Sequence, residues 1–280
     1  MADIKEALGI PEFGSWYVEL LPNQNIIEEL ISISKLVKSM VDSNSIEELK
    51  GNKKNIKFIN YGKTQLVYVM TIDNSRQYTL LINQPATEYG LGKAEFNNLN
   101  RLNQLDSDAV IKPIGYFENN GKELYITPYY RQARCVGIET KDWGVWVPEP
   151  NYHFRKFTEE EKHAVNSVIV AMLVKLYDEE NNQGLSKCRL DGGDFMLLKG
   201  YEHNDMSFEN IMNSIKLIAA RKLIPISLDD YIERIRIELS GQDCNVMLVL
   251  GGKLKQPFTI EEIEDGIEKG LELRKKYKSK

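Results

Sequence analysis

Histidine and cysteine are scarce in this sequence, with three of each in 280 residues. His153, His163 and His203 stand far apart, and so do Cys135, Cys188 and Cys244; no two cysteines have the C-x-x-C spacing of a zinc site or a redox pair. An odd cysteine count in a chain long enough to bury its own core argues against a disulfide framework and for thiols kept in a reducing, cytoplasmic setting. A basic excess is missing as well: 36 Lys and Arg face 41 Asp and Glu, a net charge of −5. That balance argues against binding of nucleic acid by bulk neutralisation of phosphates and leaves only a local basic patch for such a role. Long apolar runs are absent too. The most apolar stretch, 165–176, is interrupted by Asn166, Ser167 and Lys175, so no membrane span is expected. Residues 1–20 carry Asp3, Glu6, Glu12, Glu19 and Pro11 in place of the basic start and apolar core of a leader.

What is present reads as a soluble, mixed α/β chain. Ile26, Ile27, Leu30, Ile33, Leu36, Val37 and Met40 recur at helical spacing and predict a helix over 25–41. Ser45 with Glu48 offers a further capped turn, and the polar stretch 51–55 reads as a linker. The texture then changes. Short runs rich in β-branched and aromatic residues at 56–59, 66–72 and 78–82 are divided by turn residues, which predicts three antiparallel strands. Phe96, Leu99, Leu102 and Leu105 place a helix over 88–105. Strands at 110–117 and 123–128 follow, joined by the hairpin signal Asn119-Asn120-Gly121.

Residues 131–157, with Trp143, Trp146, Pro148 and Pro150, read as irregular, the tryptophans as a satellite core. Thr158 and Glu161 form a capping box for a long helix to about Asp178. A polar turn at 179–184 and a short strand at 195–199 come next. Residues 207–277 read as mainly helical, with Ser227 and Thr259 as caps. The expected domains are a helical extension over 1–55, a small β-rich lobe over 56–130 and a helical lobe over 131–280.

Five strands with one helix after the third is the plan of a known superfamily, and several segments match it in order. Phe58-Ile59-Asn60-Tyr61-Gly62-Lys63-Thr64 sits where a phosphate-covering hairpin loop stands, with the single glycine Gly62. Leu80-Leu81-Ile82-Asn83 ends where a phosphate-pairing lysine belongs and carries Asn83 there instead. Lys93-Ala94-Glu95-Phe96 supplies a helix glutamate; the plain alternative for Glu95 is a solvated carboxylate. Thr127-Pro128-Tyr129-Tyr130-Arg131 corresponds to a hinge that holds an adenine edge through backbone groups. On these segments the chain resembles the protein-kinase-like superfamily, which includes aminoglycoside-phosphotransferase-like enzymes. The fold this implies is α+β and two-lobed, a five-stranded antiparallel sheet lobe plus a helical lobe, with nucleotide in the cleft.

Two segments compete for the catalytic loop of that resemblance. His203-Asn204-Asp205-Met206-Ser207-Phe208-Glu209-Asn210 fits the His-x-Asp-x4-Asn pattern, in which the aspartate accepts a hydroxyl proton and the asparagine binds magnesium. Asp229 or Asp230 then supplies the second metal ligand. The plain alternative is that Ser207 caps a helix. In the other register, Cys188-Arg189-Leu190-Asp191-Gly192-Gly193-Asp194 follows the long helix more closely. It puts Arg189 at the base position, Asp194 at the asparagine position and Asp205 in place of the metal aspartate, a pseudokinase pattern.

The first register implies an ATP- and Mg2+-dependent phosphotransferase acting on a hydroxyl of a small molecule or protein. Its catalytic residues are Asp205 and His203, its metal ligands Asn210 and Asp229, and its nucleotide contacts Gly62, Asn83, Glu95, Thr127 and Tyr129. The second implies a catalytically dead binding or regulatory module. Both imply a nucleotide partner at most weakly held, and neither a nucleic acid nor a membrane partner.

Overall fold

The computed structural model describes residues 56–61, 65–72, 76–83, 90–119, 122–130, 133–139, 142–147, 153–186, 194–198, 207–220, 222–240 and 258–278. The expected helix over 25–41, the turn at Ser45, Gly62, Arg189, His203 and Asp205 lie outside them. The chain divides into two compact units. The described part of the first runs over 56–96 and 112–129; that of the second runs over 97–111 and from Tyr130 on. Among the described residues no helix is long and apolar enough to cross a membrane.

In the first unit, β1 (Ile56–Tyr61), β2 (Gln65–Ile72) and β3 (Arg76–Asn83) are the three strands that the alternating runs predict; helix α1 (Leu91–Leu105) follows, with residues 91–96 counted in this unit and 97–105 in the second. β4 (Gly115–Asn119) and β5 (Lys122–Pro128) complete a five-stranded sheet of order β1-β2-β3-β5-β4. Every pairing in it is antiparallel. Asn119 stands opposite Lys122, the register of a two-residue hairpin loop, as Asn-Gly between alternating runs predicts. A register shift between Phe58 and Asn60 puts a bulge in β1.

Two boundaries differ from the sequence reading. The helix begins at Leu91, because Gly90 has φ +90, a conformation that only glycine adopts without strain. The strand expected over 110–117 is split. Pro113 has no N–H to give a ladder, so only Gly115–Asn119 joins the sheet. Val110 instead makes a parallel bridge to Leu217 of the second unit's sheet, and lies in that unit.

The second unit is built on α2 (Glu159–Lys175). Residues Val165 to Val174 are all buried, so the helix is enclosed on every side rather than amphipathic. Its start follows the sequence reading: Glu161 N–H donates to Thr158 Oγ1 at 3.1 Å and Thr158 N–H donates to Glu161 Oε2 at 2.9 Å. Helix α5 (Ile260–Lys278) packs along it. Gly266 and Gly270 make the approach close, since a Cβ at Gly266 would stand 2.5 Å from Ser167 O and one at Gly270 2.7 Å from Val174 Cβ. Thr259 and Glu262 cap α5, and Glu262 also accepts from buried Asn166 Nδ2 at 3.0 Å.

The expectation of an irregular segment over 131–157 is overturned, and the mainly helical second part with one short strand at 195–199 holds more strand than expected. β6 (Arg134–Glu139), β7 (Asp142–Val147) and β8 (His153–Lys156) form an antiparallel run there, with Trp143 and Trp146 inside β7. These strands join β10 (Phe195–Leu197) and β11 (Ile215–Leu217) in a sheet of order β11-β10-β6-β7-β8. Val136 and Val145 are buried on it. Two short strands, β9 (Gln183–Leu185) and β12 (Leu223–Pro225), pair separately. Helices α3 (Phe208–Ser214) and α4 (Leu228–Ser240) complete the unit, capped at Ser207 and Ser227.

Candidate functional site

In the second unit, two connections run between the same two pairs of strands. β9 pairs antiparallel with β12, and β10 with β11. At the end of the first pair, Ser186 N–H donates to Lys222 O at 2.8 Å. At the matching end of the second, Ile218 N–H donates to Asp194 O at 2.8 Å. Ser186, after which the first connection begins, therefore lies beside Lys222, where the second ends; Asp194, where the first ends, lies beside Ile218, from which the second begins. The longer connection holds Arg189 and Asp191, and Asp194 stands at its end. The shorter one reads Ile218-Ala219-Ala220-Arg221-Lys222 and contains no carboxylate. Ala220 is buried and its carbonyl accepts from Asn98 Nδ2 at 3.0 Å.

Asn210 lies elsewhere. It is in the first turn of α3, its N–H donating to Ser207 Oγ at 3.3 Å, and α3 runs directly into β11. Leu198 N–H donates to Ser214 O at 2.7 Å, which puts α3 at the turn end of the β10–β11 pair. The two ends are separated by the strands themselves, at about 3.3 Å per residue. Asp229 follows β12 and stands exposed in the first turn of α4, because Ser227 ends the extended segment by capping a helix: Asp230 N–H donates to Ser227 Oγ at 3.1 Å. Among the described residues no three His, Cys, Asp or Glu side chains form a group able to hold a metal ion.

The entry to β9 is held by a buried carboxylate. Asp178 accepts from Arg101 Nε at 2.7 Å, from Asn181 N–H at 3.1 Å and from Asn181 Nδ2 at 3.1 Å, and lies 2.6 Å from Arg101 Nη2. Arg101 Nη1 donates on to Gln183 Oε1 at 2.6 Å. Burial by itself would raise the Asp178 carboxyl, but these donors outweigh it and hold it below the ordinary carboxylate value. Asn182 takes φ 49, which asparagine tolerates. Arg274 of α5 donates to the carbonyls of Val174, Lys175 and Tyr177, at 3.1, 3.3 and 2.6 Å, at the C-terminal end of α2, where a cation suits the helix dipole. It also pairs with Glu179 at 2.5 Å. Arg234 of α4 donates to Ser186 O at the other end of β9. Side chains from α1, α4 and α5 thus hold both ends of β9 and the polar turn that enters it.

In the first unit, Glu95 is only 2% exposed, which removes the reading of a solvated helix carboxylate. Gly92, Glu95, Leu99 and Leu102 are all buried, at the spacing of one helix face. Thr127 is buried and sits opposite Thr79 in the ladder; Tyr129 N–H donates to Gln77 O at 3.1 Å, so that backbone donor is engaged by the sheet. Asn83 closes β3 opposite Gln65.

One residue that the sequence reading missed is central here. Glu123 of β5, 3% exposed, accepts from Gly90 N–H and Gly92 N–H on Oε2 at 3.0 and 3.1 Å. Its Oε1 accepts from Lys93 N–H at 3.0 Å and from the Tyr116 hydroxyl at 2.7 Å. Burial raises this carboxyl, yet the Tyr116 hydroxyl and the three backbone donors leave it below the usual value. The available signal was a helix with no acidic residue in its first turn, with Gly90 before it and Gly92 as its second residue.

No protein-family model and no curated protein matches the chain. Among solved structures it is similar to the BubR1 kinase domain, at 16% identity and a TM-score of 0.39, over 61% of this chain. The match spans 47% of that kinase-domain chain, just under half.

Proposed function

We propose that the chain is a kinase-like binding or regulatory module that does not transfer phosphate. The observation that carries this is the pair of connections between β9–β12 and β10–β11. After a long helix, a strand, a connection and a second strand pair, the resemblance asks for a base in the first connection and a metal-binding aspartate in the second. Here the first holds Arg189, which stays protonated and cannot take a proton. The second holds no carboxylate at all. At the end of β3, Asn83 offers an amide where a cation would face phosphates. Asn210 and Asp229 do not repair this, because they belong to helix starts rather than to the two connections. On this reading residues 56–130 and 131–280 are the two lobes, and ATP with Mg2+ is bound weakly or not at all.

The test is transfer of γ-phosphate from Mg2+·ATP to water, to the chain itself and to a panel of hydroxyl acceptors, for wild type and Asp205→Asn. The expected result is no turnover in either. Magnesium-dependent turnover that Asp205→Asn abolishes, with the fold intact, would overturn the proposal and restore Asp205 as the base.

A further inference from the structure

We infer that Glu123 is a latch for helix α1: its carboxylate holds the first turn of α1 to β5, and removing it frees that turn while the sheet stays intact. The inference uses the first unit alone and stands whether or not the chain transfers phosphate.

A helix start leaves its first N–H groups without helical partners. Most helices meet that need with a local side chain or an acidic first turn. α1 has no acidic residue in its first turn. Its donors are taken by one carboxylate 30 to 33 residues later in the chain, reached across the sheet. Gly90, at φ +90, turns its N–H toward Glu123, and Gly92 brings its own backbone to the same oxygen. The two Glu123 oxygens accept from the backbone of α1 and of the turn before it and from the Tyr116 hydroxyl of β4, so a single group ties the helix start to two strands. Because hydrogen bonds to a charged acceptor are about twice as strong as neutral ones, about half of the hold disappears with the charge.

Of the titratable residues around this carboxylate, Tyr116 comes from β4 and Lys93 from α1, while position 118 pairs with position 123 in the β4–β5 ladder. Glu95 lies one turn further along the buried face of α1, so a freed first turn moves the helix segment that carries it. Phe96 against Tyr116, ring centroids 5.9 Å apart, is the apolar contact that remains when the latch opens.

The experiment is an amide-resolved NMR titration of the full chain with pH, combined with hydrogen exchange of Glu123→Gln. In wild type, the Gly90, Gly92 and Lys93 amides are expected to shift together with one midpoint below the ordinary carboxylate range. In Tyr116→Phe that midpoint rises. In Glu123→Gln the same three amides exchange about ten- to a hundredfold faster, while amides of Leu80, Leu81 and Ile126 in the sheet hold their wild-type rates. Three unrelated midpoints in wild type would overturn the inference without any variant. So would exchange at residues 90–93 that Glu123→Gln leaves unchanged, or sheet amides that accelerate as much as those of α1.

Discussion

Replacing Arg101 by methionine keeps the apolar stem and deletes the cation beside Asp178. The cost follows from where the two groups sit. Removing one partner of a fully buried ion pair costs about 3–5 kcal/mol, whereas an exposed pair is worth about 0–1 kcal/mol. Asp178 is 2% exposed and Arg101 31%. Asp178 also keeps its Asn181 donors in the variant. The loss therefore falls between the two limits, at about 2 kcal/mol. It should be local, because the amides of Asp178 and Gln183 bond to each other's carbonyls at 2.9 and 3.0 Å and open with that turn. Native-state hydrogen exchange reads it directly: those two amides are expected to exchange about thirtyfold faster in Arg101→Met at pH 7. The pH dependence has a definite sign. Folded Asp178 titrates below its unfolded value, so its contribution is complete above about pH 4 and is lost as pH falls through the folded pKa. The variant should lose less on acidification than wild type. In a double-mutant cycle, Arg101→Met with Asp178→Asn should cost less than the sum of the two by about 1–2 kcal/mol. Additive costs, or exchange within twofold of wild type, would refute the reasoning that this pair sets the lead-in to β9.

Two further perturbations probe the frame that carries the connections. Thr158→Ala removes the acceptor of the Glu161 N–H and should lower stability by about 1 kcal/mol in thermal unfolding; Glu161→Gln should cost more, since that carboxylate also takes the Arg155 fork at 2.9 and 3.0 Å. Gly266→Ala gains up to about 1 kcal/mol of helix propensity but overpacks the α2–α5 contact by about 1–3 kcal/mol, so its urea midpoint should fall. Adding Val170→Ala should not restore it, because the atoms met at 2.5 Å, Ser167 O and Val170 Cβ, both survive that change.

Much of the first unit was legible because its strands are long enough to alternate and its turns carry Gly and Asn. β2 and β3 each show eight residues of pattern, and Asn120-Gly121 announced the β4–β5 hairpin. The helix caps at Thr158, Ser207, Ser227 and Thr259 were legible for the same reason: a cap is a local bond between residues three apart. β6 to β8 were not. Their strands are four to six residues long and are interrupted by Gly137 and Gly144, with Pro148 and Pro150 beside them, so a period of two never builds up. The three-residue strands β9 to β12 carry no periodicity at all, yet they decide which segment enters the paired connections. Glu123 was hidden for a different reason, since its partners lie about 30 residues away and only the folded sheet brings them to it. Position 95 was found by resemblance, but its burial belongs to the packing of α1.

The central claim is that the two connections between β9–β12 and β10–β11 do not hold a metal–nucleotide complex. Paramagnetic broadening by Mn2+·ATP tests it most directly, because the ion relaxes any amide near it. The amides of Ser186, Asp194, Ile218 and Lys222 are expected to keep their intensity at equimolar Mn2+·ATP. Selective, saturable loss of those four signals that excess Mg2+·ATP reverses would contradict the account.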